Sequence, residues 1–528
     1  MPVTRRYIFI LISILVHFIF LILDLSYYEE GGDTFIKNTL SGVFIGQPGL
    51  PPFSFGAHFG LSYFYLHLYK LFPHVMWYDF FTIFYSIVAL TLVFFSFHVA
   101  CKKKQLLPAI ILGLTIYADN LLMFEITRIS LTIAITSSFL LLSSPPTISN
   151  KKLILLQLLL CLSVFLRIES FFLGSFLMLL TVVINAAYVR NLKLLLPSLT
   201  VALLLSILLN VDWTPRDKQY NEIRPYQFIL LDFETKQDGT FDSEEDSLTM
   251  EVAQLFFLND EQRIDKDFFS KYLVLMDKNP LHLKNFITQT NFSKQAFENK
   301  LKRINFRYLL WWGLAAGFLA YLFYTKDTSK KLYVVFILYS FILLGIFVLM
   351  KMENRILLPA SIGLLFLFLL AKPKPILIYS SILITGLFLS LPNAKYQELE
   401  QRFQTYAQLE KKQPQLEKYK FVVMDLHGSV WYGRKPFYKH QIQQKLICLD
   451  NAMLFMTPEY KDYMFELFGT SNTGDLMNIL KDRPDVLFMG DVKRAKIINN
   501  YFNEVHGFNF KLHIFDKLDD LTSIYELK

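Results

Sequence analysis

The chain has 528 residues, of which 53% are hydrophobic and 16% are aromatic, with 53 basic and 45 acidic residues. This composition is too apolar for an ordinary soluble protein and is typical of a membrane protein with several spans and some soluble parts. The net charge of +8 does not indicate nucleic-acid binding, because the basic residues lie in short loops between apolar stretches, where they set membrane topology.

The first segment has a basic start and a long apolar stretch, residues 7–24, with no small-residue cleavage site after it. It predicts a retained first span that also targets the protein to the membrane. Further apolar stretches approach the spanning length of about 17 to 25 residues. They cover residues 76–100, 105–118, 128–146, 152–167, 171–189, 194–211, 307–325, 332–350, 354–371 and 375–392. The fold class predicted for residues 1–392 is an α-helical multi-span membrane domain with about eleven helices.

Basic clusters fall in every second loop between these stretches. They occupy residues 4–6, 101–104, 149–152, 190–193, 325–331 and 371–374. The positive-inside rule assigns these loops, and the N-terminus, to the cytoplasm. The loops 25–75 and 212–306, and everything after Pro392, are then extracytoplasmic, so we expect chemistry on the outer face of a bacterial inner membrane.

The outer loops contain three recognisable stretches. Residues 58–72 are apolar and aromatic but short, and predict an amphipathic helix on the membrane surface. The acidic run 241–247 predicts a solvated turn, and residues 267–289 predict a helix broken by Pro280.

The C-terminal part, residues 393–528, alternates between strand and helix patterns. Short apolar strands are predicted at 420–425, 446–450, 485–490 and 510–516, and a helix at 491–507. This alternation predicts a small extracytoplasmic α/β domain. No glycine-rich nucleotide motif is present.

Two motifs carry a resemblance to a known family. The first is "GDTFIKNTLSGVFIGQPGLPPFSFGAHFG" directly after the first span, with Asp33, a Gly-rich turn and the pair Pro51-Pro52. The second is "ENRILLPASIGLLFLF", in which Arg355 and Pro359 enter a late span. Together with the many spans, they resemble the GT-C superfamily of glycosyltransferases, in particular the bacterial relatives of the protein O-mannosyltransferases and of the lipid A aminoarabinose transferase.

The resemblance implies an inverting transfer of a sugar from a polyprenyl-phosphate donor to an acceptor glycan, lipid or protein. Asp33 is the expected general base, and such a group contributes about 10² to 10⁴ in rate. Thr34 stands where the family usually has Glu, so Glu29 or Glu30 is the candidate for the second acid. The resemblance implies no metal cofactor, and no His/Cys cluster has zinc spacing.

The leaving phosphate needs cations, preferably arginine with its bidentate fork. The candidates at the predicted outer span ends are Arg128, Arg167, Lys351 and Arg355. Their expected partners, which hold these cations or bind sugar hydroxyls, are Glu125, Glu169 and Glu353.

Alternatives remain open at this point. Cationic side chains at span ends can simply reach the membrane surface. A glycan polymerase or ligase would use the loop 212–306, where Arg216, Arg224 and Arg263 could bind phosphates. A transporter is disfavoured, because it should show matching halves and charges near mid-membrane. The sugar, the acceptor and the metal dependence stay undetermined.

Overall fold

The computed structural model describes residues 3–29, 31–43, 47–49, 61–101, 106–145, 147–209, 241–256, 260, 263–272, 298, 312–313, 316, 330–349, 354–371, 386, 393–424, 435–438, 444–448, 458–470, 472–509, 511–518 and 522–527. Helices dominate the described part of the first 392 residues. They are α1 (Val3–Ile22), α2 (Gly31–Ser41), α3 (Leu61–Leu71), α4 (Trp77–Ala100), α5 (Leu106–Leu122), α6 (Ile126–Leu142), α7 (Asn150–Leu166), α8 (Ile168–Met178), α9 (Thr181–Ile184), α10 (Leu196–Leu209), and the helices Glu244–Phe256, Lys266–Tyr272, Lys330–Leu349 and Asn354–Ala371.

These helices follow the predicted apolar stretches closely. In the described ranges, two helical stretches, Trp77–Ala100 and Ala186–Leu208, are long and apolar enough to cross a membrane, and shorter apolar helices accompany them. The predicted spans 307–325 and 375–392 lie almost entirely outside the described residues. The count of about eleven spans therefore stays a prediction.

Helix α6 is the centre of the helical part. It packs against α4, α7, α8 and the helix Asn354–Ala371, and every residue in it except Leu140 is buried. Its hydroxyls bond back along the helix, as when Thr132 Oγ1 donates to the carbonyl of Arg128 at 2.8 Å. A Cβ at Gly174 would lie 2.7 Å from the Cβ of Ala134, so glycine lets α8 approach α6 closely.

Short elements connect the helices at the predicted outer end. Strand β1 (Tyr27–Tyr28) follows α1 and pairs in parallel with β2 (Met123–Phe124), which lies between α5 and α6. This pairing ties the start of α2 to the start of α6. Helix α2 begins at Gly31, so Asp33 lies in its first turn.

The C-terminal residues form a five-stranded sheet in the order β4-β3-β5-β7-β6. The strands are β3 (Phe421–Met424), β4 (Lys445–Cys448), β5 (Val486–Asp491), β6 (Leu512–Lys517) and β7 (Thr522–Leu527). β3, β4 and β5 are parallel, and β7 is antiparallel to both β5 and β6. The described helices of this part are Ala394–Lys411, Gln413–Leu416, Pro458–Phe468, Thr473–Leu480 and Val492–Glu504. The four predicted strands are present, whereas β7 was not predicted. The division of the chain near residue 392 stays a prediction.

One expectation for the outer loops needs revision, and another is only partly covered by the described residues. The acidic run 241–247 is not only a turn, because the helix Glu244–Phe256 begins within it. There Asp246 accepts hydrogen bonds from Tyr272 and Lys271 of the next helix, and the bond from Tyr272 lowers the pKa of Asp246. Of the helix predicted over 267–289, only the part up to Tyr272 lies within the described residues.

Candidate active site

The first turn of α6 brings several predicted site residues together. We call this group the α6 cluster and define it as Glu29, Asp33, Glu125, Thr127, Arg128, Arg167 and Arg355. Glu125 is the N-cap of α6, and its Oε2 accepts the backbone N–H of Arg128 at 2.5 Å. Such a cap satisfies a donor that the helix itself leaves without a partner.

Asp33 is bound directly to this turn. Its Oδ2 accepts the backbone N–H of Ile126 at 3.0 Å, and its Oδ1 accepts the hydroxyl of Tyr78 at 2.8 Å. Asp33 is only 4% exposed. The carboxylate is therefore held in one orientation between α2, α4 and α6, and the N-terminal end of α6 favours its negative charge.

Glu29 and Arg128 form a buried ion pair across the β1–β2 connection. Arg128 is fully buried, and its guanidinium also donates to the carbonyls of Met123, at 3.3 Å, and Asp119, at 3.5 Å. The backbone N–H of Glu29 donates to the carbonyl of Phe124 at 2.9 Å. The role predicted for Arg128, binding of the donor phosphate, stays a prediction. Its Nη1 and Nη2 groups contact backbone carbonyls and Glu29, which favours a structural role.

Arg167 and Arg355 are the accessible cations of the α6 cluster. Arg167 lies between α7 and α8, and its Nη1 donates to Thr127 Oγ1 at 2.5 Å. Arg355 opens the helix Asn354–Ala371, and its Nη1 lies 3.8 Å from Oε1 of Glu125. Their side chains are 29% and 22% exposed. Both guanidinium groups thus reach the first turn of α6 and keep part of their surface open.

The remaining predicted residues are distributed differently. Glu169 lies 3.6 Å from Nε of Arg167 and has a 55% exposed side chain, so it belongs to the surface beside the α6 cluster. Glu30, Lys351 and Glu353 lie outside the described residues. Across the described ranges, no three His, Cys, Asp or Glu side chains are grouped in a way that could hold a metal ion.

A segment of the C-terminal part contacts Lys37 of α2 and Asp79 of α4, and Asp79 is the sequence neighbour of Tyr78, which binds Asp33. We call residues 435–438 the clamp segment. Lys37 and Asp79 form a buried ion pair at 2.9 Å. Lys37 Nζ also donates to the carbonyl of Lys435 at 3.2 Å, and Asp79 Oδ2 accepts the backbone N–H of Phe437 at 3.0 Å. The ion pair therefore binds two backbone groups of the clamp segment, the carbonyl of Lys435 and the N–H of Phe437.

Two further contacts strengthen this attachment. Lys435 is buried, forms an ion pair with Asp24 and lies 4.5 Å from the ring centre of Phe403. Asp24 and Phe437 both have positive φ angles, 55° and 58°. Such conformations are unfavourable for residues other than glycine and persist only where neighbouring contacts impose them.

The tyrosine hydroxyls near the site act as donors. Tyr28 donates to Oδ1 of Asp79 at 2.7 Å. Burial raises the pKa of Tyr28 well above its usual value, and the nearby Asp79 carboxylate raises it further. Tyr28 therefore stays protonated and helps to hold the negative charge of Asp79.

Sequence reasoning missed part of this arrangement. Asp79 and Tyr78 lie at the start of an otherwise apolar helix, and Lys37 lies in α2. A carboxylate in a membrane span costs free energy, so its presence indicates a functional or structural role. This argument could have identified Asp79 from the sequence. Nothing in the sequence pairs Asp79 with Lys37, or either of them with the clamp segment.

Comparison with known proteins returns few matches. No family profile matches the chain, and no curated protein matches it. Two crystal structures of ArnT from Cupriavidus metallidurans are similar to it. The apo structure is 11% identical with a TM-score of 0.41, covering 98% of this chain and 97% of that chain. The structure bound to undecaprenyl phosphate is 12% identical with a TM-score of 0.39, covering 99% and 98%. Both similarities extend over almost the whole chain, at low identity and low TM-score.

Proposed function

We propose that the protein is a membrane glycosyltransferase that moves a sugar from a polyprenyl-phosphate donor to an acceptor on the outer face of the membrane. The observation that carries this proposal is the first turn of α6. Three consecutive residues at the start of α6 contact a fixed carboxylate and two partly exposed arginines. Ile126 binds Asp33, Thr127 binds Arg167, and Glu125 lies beside Arg355.

The arginines supply what a leaving phosphate requires. Each guanidinium can bind two phosphate oxygens, and hydrogen bonds of this kind are about twice as strong as neutral ones. The N-terminal end of α6 adds a partial positive charge at the same place. A phosphate held here would have its developing negative charge compensated in the transition state.

Asp33 is the proposed general base for the acceptor hydroxyl. Its position is fixed by Ile126 and Tyr78, and a positioned carboxylate is what proton abstraction needs. Because Asp33 is 4% exposed, proton transfer requires a conformation in which its neighbours have moved apart. Glu29 is a weaker candidate, since Arg128 already binds its carboxylate.

The phosphate site is tested by binding, without knowledge of the sugar. Purified full-length protein in nanodiscs is titrated with undecaprenyl phosphate, followed by native mass spectrometry. Arg167→Ala and Arg355→Ala should each weaken binding by about 1.5 to 3 kcal/mol, the contribution of a hydrogen bond to a charged group, and Arg→Lys should recover only part of it. Arg190→Ala, at an exposed arginine in the 3-10 helix Ala186–Leu195, is the control. Unchanged affinity in both alanine variants would remove the phosphate role.

The outer-face location is tested separately. A reporter that is active only outside the cytoplasm is fused after Pro392 in one chimera and after Lys326 in another. We expect activity only in the first, because the basic loop 325–331 is assigned to the cytoplasm. The reverse pattern would put Asp33 in the cytoplasm and contradict transfer on the outer face.

A further inference from the structure

A cavity of about 740 Å³ lies between α1, α4, α7 and the connection that follows α6. It is separate from the α6 cluster, because no residue of that cluster lines it and the α6 residue that does, Leu140, lies in the last turn of the helix. Its walls are mainly aliphatic and aromatic, with Ile10 from α1, Leu92 and Phe95 from α4, and Leu156 from α7.

The cavity opens toward the lipid-facing side of the helices. Three of its lining residues are well exposed: Ile14 at 47%, Phe84 at 48% and Leu155 at 56%. In a membrane, this opening faces hydrocarbon chains rather than water. The natural occupant is therefore a lipid chain, not a soluble metabolite.

The cavity is long in the direction of α4, a helix that is long and apolar enough to cross a membrane. Along α4 its lining extends from Val99 to Phe84, a distance of about 22 Å at the helical rise per residue. One leaflet of the hydrocarbon core is about 15 Å thick. The cavity can therefore take a lipid chain along its whole length and hold it beyond the bilayer midplane.

One end of the cavity is polar and positively charged. The side chains there are Ser143, Ser144, Thr147 and Lys152, and the exposed Lys151 neighbours Lys152. Helix α7 begins at the same end, and its dipole adds positive potential. Among the described residues that line the cavity, none is acidic. This end therefore suits a phosphate with a net negative charge better than a zwitterionic headgroup, whose cation would find no carboxylate.

We propose that this cavity binds one anionic phospholipid of the leaflet on the side of the basic loops. One acyl chain lies between α1, α4 and α7, and the phosphate lies at Lys152. The proposal does not depend on the transferase function, because the cavity shares no residue with the α6 cluster.

The test compares lipids on the purified full-length protein by native mass spectrometry. Palmitoyl-oleoyl phosphatidylglycerol and the matching phosphatidylcholine are titrated into delipidated protein. We expect one phosphatidylglycerol to bind at least about fivefold more tightly than phosphatidylcholine, the effect expected of one lysine near a phosphate. Lys152→Glu should remove this preference, whereas Lys193→Glu, at an exposed lysine of the 3-10 helix Ala186–Leu195, should keep it.

A second pair of variants tests the apolar part. Val88→Trp fills the cavity and should abolish binding of both phospholipids to this site, whereas Leu203→Trp, on the exposed surface of α10, should not. Equal binding of the two phospholipids, or a preference that survives Lys152→Glu, would overturn the proposal. Undecaprenyl phosphate binding that is lost in Val88→Trp and exceeds that of phosphatidylglycerol would also overturn it, and would identify the cavity as a polyprenyl site.

Discussion

Lys37 and Asp79 form a buried ion pair at 2.9 Å, and each of them also binds the backbone of the clamp segment. Lys37 Nζ reaches the carbonyl of Lys435, and Asp79 Oδ2 receives the N–H of Phe437. This ion pair in the helical part therefore contributes to the attachment of the clamp segment, together with the pair of Lys435 and Asp24.

Removing Lys37 should detach the clamp segment. Lys37→Met leaves Asp79 without its cation, and breaking a buried pair costs about 3 to 5 kcal/mol. We expect faster amide hydrogen exchange in residues 435–438, and Lys37→Met/Asp79→Asn should recover part of the protection. Lys70→Met, at an exposed lysine of α3, is the control. Unchanged exchange in Lys37→Met would mean that other contacts attach the segment.

The pair Glu29–Arg128 should matter for stability rather than for donor binding. Arg128→Met leaves a buried carboxylate, so we expect a loss of about 3 to 5 kcal/mol in the free energy of unfolding. Glu29→Gln/Arg128→Met should recover part of it, because no unpaired charge is then buried. Thermal unfolding in nanodiscs measures both variants. A stable Arg128→Met protein that no longer binds undecaprenyl phosphate would instead assign Arg128 to the donor site.

The sequence was sufficient to predict the positions of helices such as α4 and α6 and to identify charged site candidates. It was not sufficient to predict which of these charged residues form ion pairs. Apolar length locates α4 and α6 within a few residues, because burial in a membrane requires continuous apolar stretches. Glu29 and Arg128 were both identified as candidates, yet they are 99 positions apart. Their pairing depends on how β1 meets β2, and two-residue strands leave no pattern in the sequence.

The missed elements have similar physical reasons. Strand β7 was not predicted because "TSIYEL" is short and polar, and its place between β5 and β6 comes from long-range pairing. The clamp segment lacks helix or strand periodicity altogether. Its position depends on Lys37, Asp79 and Asp24, which lie several hundred residues earlier in the chain.

Arg483 and Asp485 allow a pH-dependent prediction in the C-terminal part. Arg483 holds both carboxylate oxygens, at 2.9 and 2.8 Å, and this hydrogen bonding lowers the pKa of Asp485. A carboxylate with a lowered pKa contributes stability above its unfolded pKa of about 3.9, and that contribution is lost as the pH falls through the folded value. Arg483→Ala should therefore destabilise the protein by about 1 to 2 kcal/mol at pH 7.

The same variant should differ less from the wild type at pH 3 than at pH 7, because the protonated fraction of Asp485 rises as the pH approaches its lowered pKa. Denaturant unfolding of the full chain at pH 7 and pH 3 measures this, with Lys496→Ala, at an exposed lysine, as the control. An Arg483→Ala effect of equal size at both pH values would show that packing on the Phe421 ring, 4.8 Å from the guanidinium carbon, accounts for the loss instead.

The decisive variant for the proposed chemistry is Asp33→Asn. The asparagine carbonyl can accept the N–H of Ile126, and its amide can donate to the Tyr78 oxygen, so both present contacts are kept. Folding and binding of undecaprenyl phosphate should therefore be unchanged. Sugar transfer should fall at least about a hundredfold, because the amide cannot accept the acceptor's proton.

The readout is single-turnover transfer from a panel of polyprenyl-phosphate sugars, measured on membranes with matched protein levels. Asp475→Asn, at an exposed aspartate in the first turn of Thr473–Leu480, controls for the substitution itself. Glu29→Gln and Glu30→Gln should cost less than Asp33→Asn. Because Arg128 binds the carboxylate of Glu29, a loss in Glu29→Gln should come with lower stability, whereas Asp33→Asn should leave stability unchanged. Normal transfer in Asp33→Asn together with an inactive but stable Glu29→Gln or Glu30→Gln would move the role of base to that glutamate.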